Sequence, residues 1–97
     1  MKAETLLPLG KLDPGLRAPD DSLNLHEVAT DAATTESLGY QTLLMEETKE
    51  DPFQVLTMAA LATRRVNIGT SVAIAFARSP FVIAQAAWTL QKISNGR

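Results

Sequence analysis

Two dipeptides, Asp51-Pro52 and Ser79-Pro80, constrain this chain more than any other feature in it. An Asp or Ser followed by Pro is a helix start. Its side-chain oxygen accepts from a first-turn N–H, and proline at N1 has no N–H to leave unpaired. Each dipeptide follows an apolar run of strand character, Tyr40 to Met45 and Val66 to Ile74, and each leads into an apolar helical pattern. The helix from Pro52 carries Phe53, Val55, Leu56, Met58 to Ala62; that from Pro80 runs to Ile93 and stops at Asn95-Gly96. A third pair comes first. Lys2 to Leu7 reads as a short strand ended by Pro8, and Leu25 to Leu38 as a helix stopped by Gly39. Asn24 and Glu27 stand at capping-box spacing before that helix.

Strand then helix therefore recurs three times, at a spacing of roughly thirty residues, which predicts right-handed crossovers and a parallel α/β sheet. Two architectures fit: a doubly wound sheet, or part of a (β/α)8 barrel. A dinucleotide-binding sheet needs Gly-x-Gly-x-x-Gly between the first strand and helix. That junction here is Leu9-Gly10-Lys11-Leu12-Asp13-Pro14-Gly15, which does not fit, and no P-loop is present. The barrel is favoured, as an incomplete one whose three strands leave two open edges. The loop from Pro8 to Leu23, at about sixteen residues, exceeds the usual βα connection and belongs to the functional or mobile class.

Composition narrows the function. A net charge of −2 without a basic stripe argues against nucleic acid. No Lys/Arg cluster flanks an amphipathic helix, and no apolar run approaches a membrane span. Without cysteine there are no disulfides or thiolate sites. One histidine, His26, and scattered carboxylates give no metal-ligand spacing, and His26 reads as a surface residue. Met1-Lys2 is not followed by a signal-peptide apolar core, so the expectation is a cytoplasmic domain. The helix after Pro52 is apolar on nearly every side and should pack on more than one face. Arg64 and Arg65 suit its carboxyl end. Phe81 and Trp88, with Ile83, Ala84, Ala87 and Leu90, read as packing of the last helix.

Four blocks then resemble the luciferase-like flavin and deazaflavin oxidoreductases. They are Glu36-Ser37-Leu38-Gly39-Tyr40; Glu47-Thr48-Lys49-Glu50-Asp51-Pro52-Phe53; Thr63 to Thr70 with Phe76-Ala77-Arg78-Ser79-Pro80; and Leu90 to Arg97. Asn95 stands where those proteins often carry Gly. The resemblance implies that residues 1–97 are the amino-terminal part of one (β/α)8 domain, a TIM barrel that would continue into a fourth strand. It also implies an oxidoreductase or monooxygenase using reduced coenzyme F420, a deazaflavin, or alternatively FMN. That enzyme would transfer hydride to, or oxygenate, a small organic substrate. A non-catalytic flavin-binding scaffold and a self-associating short protein, a homo-oligomer, are the alternatives.

In such a barrel the site lies at the carboxyl ends of the strands. By resemblance, Ser71, Val72 and Ala73 form a bulge, often with a non-prolyl cis peptide, beneath the cofactor ring. Glu47 is the acidic position before Asp-Pro, able to accept a hydrogen bond from cofactor or substrate or to orient a neighbouring cation. Leu7 and Gly10 would line the substrate side of the pocket. Arg78 either helps hold a phosphate at a helix N-terminus or pairs with a carboxylate at the rim. The resemblance assigns no catalytic residue.

Overall fold

The structure, a computed structural model, describes residues 2–8 and 23–97. Three strands, β1 (Glu4–Leu6), β2 (Thr42–Met45) and β3 (Asn67–Thr70), form a parallel sheet in chain order. The helices are α1 (Val28–Ser37), α2 (Pro52–Leu61) and α3 (Pro80–Ile93). Register aligns Leu6 with Leu44, and Leu44 with Gly69. The fold is thus α/β with the expected strand–helix alternation. α1 packs on α2 and α2 on α3, so the helices lie side by side in chain order.

Side chains alternate along the strands, and this sorts the sheet into two faces. Leu7, Leu43 and Met45, with Ile68 partly buried, join Val28, Ala32, Val55, Leu56, Ala59 and Val66 in one core between sheet and helices. Leu6, Leu44 and Gly69 fall on the opposite face by the same alternation. There a Cβ added to Gly69 would lie 3.1 Å from Leu44 Cδ2, so a larger residue requires that leucine to shift. α2 meets the prediction for an all-round apolar helix, touching α1, α3, β2 and β3. Leu61 is the exception and faces outward.

The helix starts follow the sequence. Asp51 accepts from the N–H of Phe53 (2.9 Å), Ser79 from that of Val82 (3.2 Å), and Pro52 and Pro80 open their helices. Replacing either cap with alanine, Asp51→Ala or Ser79→Ala, should cost about 1 kcal/mol in urea unfolding. A loss under a few tenths at both sites would refute the assignment. The stops also agree. Gly39 (φ 88°) follows α1, and α3 ends in two left-handed residues, Asn95 (φ 55°) and Gly96 (φ 85°). Asparagine tolerates this conformation better than most side chains, which explains how it occupies a position where glycine is common.

Three expectations need correction. β3 leaves the sheet after Thr70, four residues before the apolar run ends, because the backbone of Val72 and Ile74 bonds to Glu47 and not to a strand. Asn24 does not close a capping box on Glu27; its side chain accepts from His26 N–H and opens a 3-10 turn, Leu25–Glu27, ahead of α1. Phe81 and Trp88 are not packing residues, being 74% and 68% exposed, and Ala84 and Ala87 are exposed as well; the half-buried residues of α3 are Ile83, Ala86, Leu90 and Ile93. Arg64 and Arg65 are exposed just beyond the carboxyl end of α2, and the guanidinium that bonds the carbonyls there is that of Arg97. Among the described residues, no helix is long and apolar enough to cross a membrane.

Candidate functional site

A parallel sheet brings every strand's carboxyl end to one edge. That edge gathers Leu7-Pro8 after β1, Glu46-Glu47 after β2, and Ser71 to Arg78 after β3. Sequence-distant candidates are thereby made neighbours. Ser71 N–H donates to Met45 O at 2.9 Å, extending the ladder by one step. The chain then turns out of the sheet through Val72, whose side chain is 72% exposed. The bonds Leu7–Pro8 and Ser71–Val72 are both cis. Ala73 and Ile74 are half-buried, and a 3-10 turn, Ala75–Ala77, presents Phe76 at 95% exposure.

Glu47 and Arg78 hold this segment. The backbone N–H of Glu47 donates to Val72 O (3.3 Å), and its carboxylate accepts from Ile74 N–H. Arg78 makes a fork to both oxygens of that carboxylate, Nη1 to Oε2 at 2.8 Å and Nη2 to Oε1 at 2.7 Å. Nη1 also donates to Ile74 O (3.1 Å), so both polar groups of residue 74 are taken by the ion pair. Asp51 lies 3.6 Å from Nη2, and the guanidinium sits 5.6 Å from the Phe53 ring centroid. The Arg78 and Glu47 side chains are only 17% and 14% exposed. The Arg78 hydrogen bond, followed by that of Ile74 N–H, holds the Glu47 carboxyl below the usual carboxylate range. Bonding to Glu47 raises the guanidinium in turn.

The other named residues fall as follows. Leu7 is a core side chain and presents only its backbone near the edge, because alternation along β1 turns it toward the helices. Gly10 lies outside the described residues. His26 is exposed. Among the described residues, no group of three or more His, Cys, Asp or Glu could hold a metal ion.

Two residues at the opposite, amino edge have roles that local sequence reading gave no reason to assign. Glu36, at the end of α1, accepts from the N–H groups of Arg64 (3.0 Å), Arg65 (2.6 Å) and Val66 (2.9 Å), fixing the turn that enters β3. Arg97 places its guanidinium over the end of α2 and gives its own carbonyl to Ile68 N–H of β3 (2.9 Å).

An α/β chain whose βα loops converge on one edge of a parallel sheet belongs to a class that places ligands there. Residues 6–97 match the profile of the luciferase-like monooxygenases, and the chain belongs to that family. Uncharacterized proteins of Mycobacterium bovis and of two Mycobacterium tuberculosis strains are each 43% identical to it over 70 residues. The aligned segment is 71% of this chain and 21% of each relative, so the chain spans about a fifth of the length of these curated relatives. No solved structure matches it significantly.

Proposed function

We propose that residues 1–97 are the first three βα units of a single (β/α)8 barrel domain, and that their carboxyl edge forms one side of a cofactor seat. The cofactor is reduced coenzyme F420, with FMN as the alternative. The complete enzyme, acting in the cytoplasm, transfers hydride to a small organic substrate or oxygenates it. F420 is preferred because the block from Gly69 to Pro80 resembles the deazaflavin branch most.

The observation that carries this reading is the exit of β3 from the sheet at Ser71, which leaves the small-residue run Ser71 to Ala73 approachable at the edge. A flat tricyclic ring needs such a surface: close backbone approach, an apolar side chain beside it, and few charges. Ser71 and Val72 are exposed and Ala73 half-buried, so the residues fit the group. When bound, the cofactor supplies the redox chemistry. This chain's part is to hold the ring's plane, offer backbone polar groups at its rim, and exclude water through Val72 and Phe76.

Titrating the full-length protein with F420 and with FMN, followed by cofactor fluorescence, tests the proposal. Val72→Trp should weaken binding about tenfold or more, which is about 1.4 kcal/mol, with an unchanged melting temperature. Equal affinity in the variant would remove Ser71 to Ala73 from the seat. Exposed Phe81 and Trp88 favour a second reading, a self-associating scaffold without turnover. Sedimentation and turnover assays on the same protein separate the two: a clean monomer with redox turnover excludes the scaffold.

A further inference from the structure

Glu47 has no carboxylate oxygen without a protein partner: Oε1 meets Arg78 Nη2, and Oε2 meets both Arg78 Nη1 and Ile74 N–H. A ligand could reach it only by displacing a two-pronged charged contact, the strongest kind of hydrogen bond a carboxylate makes. Its backbone N–H is likewise taken, by Val72 O. The contacts of this one residue therefore fall on Val72, Ile74 and Arg78, two inside the exposed loop and one at its far end.

Resting on the cofactor reading above, we infer that Glu47 serves the site as a positioning residue. It works through Arg78 to set the place of Val72 to Phe76, and it does not itself contact the ligand. Three features make this more than a surface ion pair. The fork is bidentate, both side chains are mostly shielded from water, and the pair encloses the N–H and C=O of one peptide residue, Ile74. Ile74 is also the residue immediately before the 3-10 turn that projects Phe76. Arg78 N–H donates to Ala75 O (3.1 Å), so the cation's own backbone closes that turn. Phe53, on α2, backs the guanidinium, and Asp51 flanks it, tying the clamp to the helix start. Loop and clamp thus form one mechanical unit. The loop's outward face is apolar, Val72 and Phe76, while its charges point inward to each other. The chemistry next to the ring is accordingly that of an uncharged, water-excluding wall.

The test uses the full-length protein and the variants Glu47→Gln, Arg78→Lys, Arg78→Leu and the double Glu47→Gln/Arg78→Leu. Amide hydrogen exchange is read on the segments covering residues 71–79 and 52–61. Exchange in 71–79 should accelerate about tenfold or more in Glu47→Gln and Arg78→Leu and less in Arg78→Lys, with 52–61 unchanged. A merely stabilising pair would speed both segments together, and that result overturns the inference. Affinity for F420 or FMN should fall about tenfold in each single Glu47→Gln and Arg78→Leu variant and no further in the double, since partners in one unit are not additive. A further drop in the double variant would mean that Glu47 touches the ligand, which also overturns it. If the wild type binds neither cofactor, the functional reading fails, while the exchange measurement still decides whether the pair positions the loop.

Discussion

Arg97→Leu is expected to destabilise the fold by about 3 kcal/mol, the largest effect of any single polar substitution described here. All five guanidinium N–H groups have acceptors. Nε donates to Ser94 O (2.6 Å), Nη1 to Thr63 Oγ1 (2.8 Å) and Val66 O (3.0 Å), and Nη2 to Ala60 O (3.0 Å) and Thr63 O (3.1 Å). The carbonyls at the end of a helix have no intrahelical partner, and here a cation supplies both the donors and the favourable charge. Removing it leaves partly buried acceptors without partners, which costs more than the bonds themselves contribute. Lysine keeps the charge but not the planar fork, so Arg97→Lys should recover less than half of the loss. Urea unfolding of the full-length protein measures both. A loss below about 1 kcal/mol for the leucine variant would show that water replaces the guanidinium, and the capping role would fall.

Glu36→Gln should produce the next largest loss, and one that depends on pH. Burial alone would raise the Glu36 pKa, but the N–H groups of Val66, Arg65 and Arg64, aided by the Arg65 charge, hold it at about 2 against an ordinary 4.5. The folded value lies below the unfolded one. The stabilisation is therefore complete above pH 4.5 and disappears as pH falls from 4.5 toward about 2. Converted in full, that difference is about 3 kcal/mol. Water around a partly exposed carboxylate screens it to about 1–2 kcal/mol. Unfolding curves for wild type and variant should be well separated at pH 7 and converge toward pH 2. Curves that stay equally far apart at low pH would assign the loss to shape and not to charge.

How far the sequence carried depended on whether an interaction was local. Asp51-Pro52, Ser79-Pro80, Gly39 and Asn95-Gly96 act within a few residues of themselves, and the helix ends fall where they predict. The parallel direction of the strands followed from alternation alone, without contact information. β3 was overextended because Ser71 to Ile74 has strand-like composition, while the backbone of Val72 and Ile74 bonds to Glu47, 27 residues from Ile74. Phe81 and Trp88 misled for a related reason: an apolar pattern on a helix does not say which neighbour covers it. The pairing of Arg78 with a rim carboxylate was one of two readings open, and the geometry shows that contact. Glu36 and Arg97 were visible only as members of the resembling blocks. Most of their partners are backbone atoms 28 to 37 residues away, which leave no mark in side-chain type.

Those two staples also predict where mutation is tolerated. Glu36 grips three amides, and four of the five bonds from Arg97 end on main-chain carbonyls. Every residue but proline supplies such an amide, and every residue supplies such a carbonyl. Within the gripped stretch Ala60 to Val66, the exposed Arg64 and Arg65 can therefore drift in side chain, while the buried Ala60, Thr63 and Val66 and the two gripping residues cannot. A saturation library should accept many replacements at Arg64, except proline, and very few at Glu36 or Arg97.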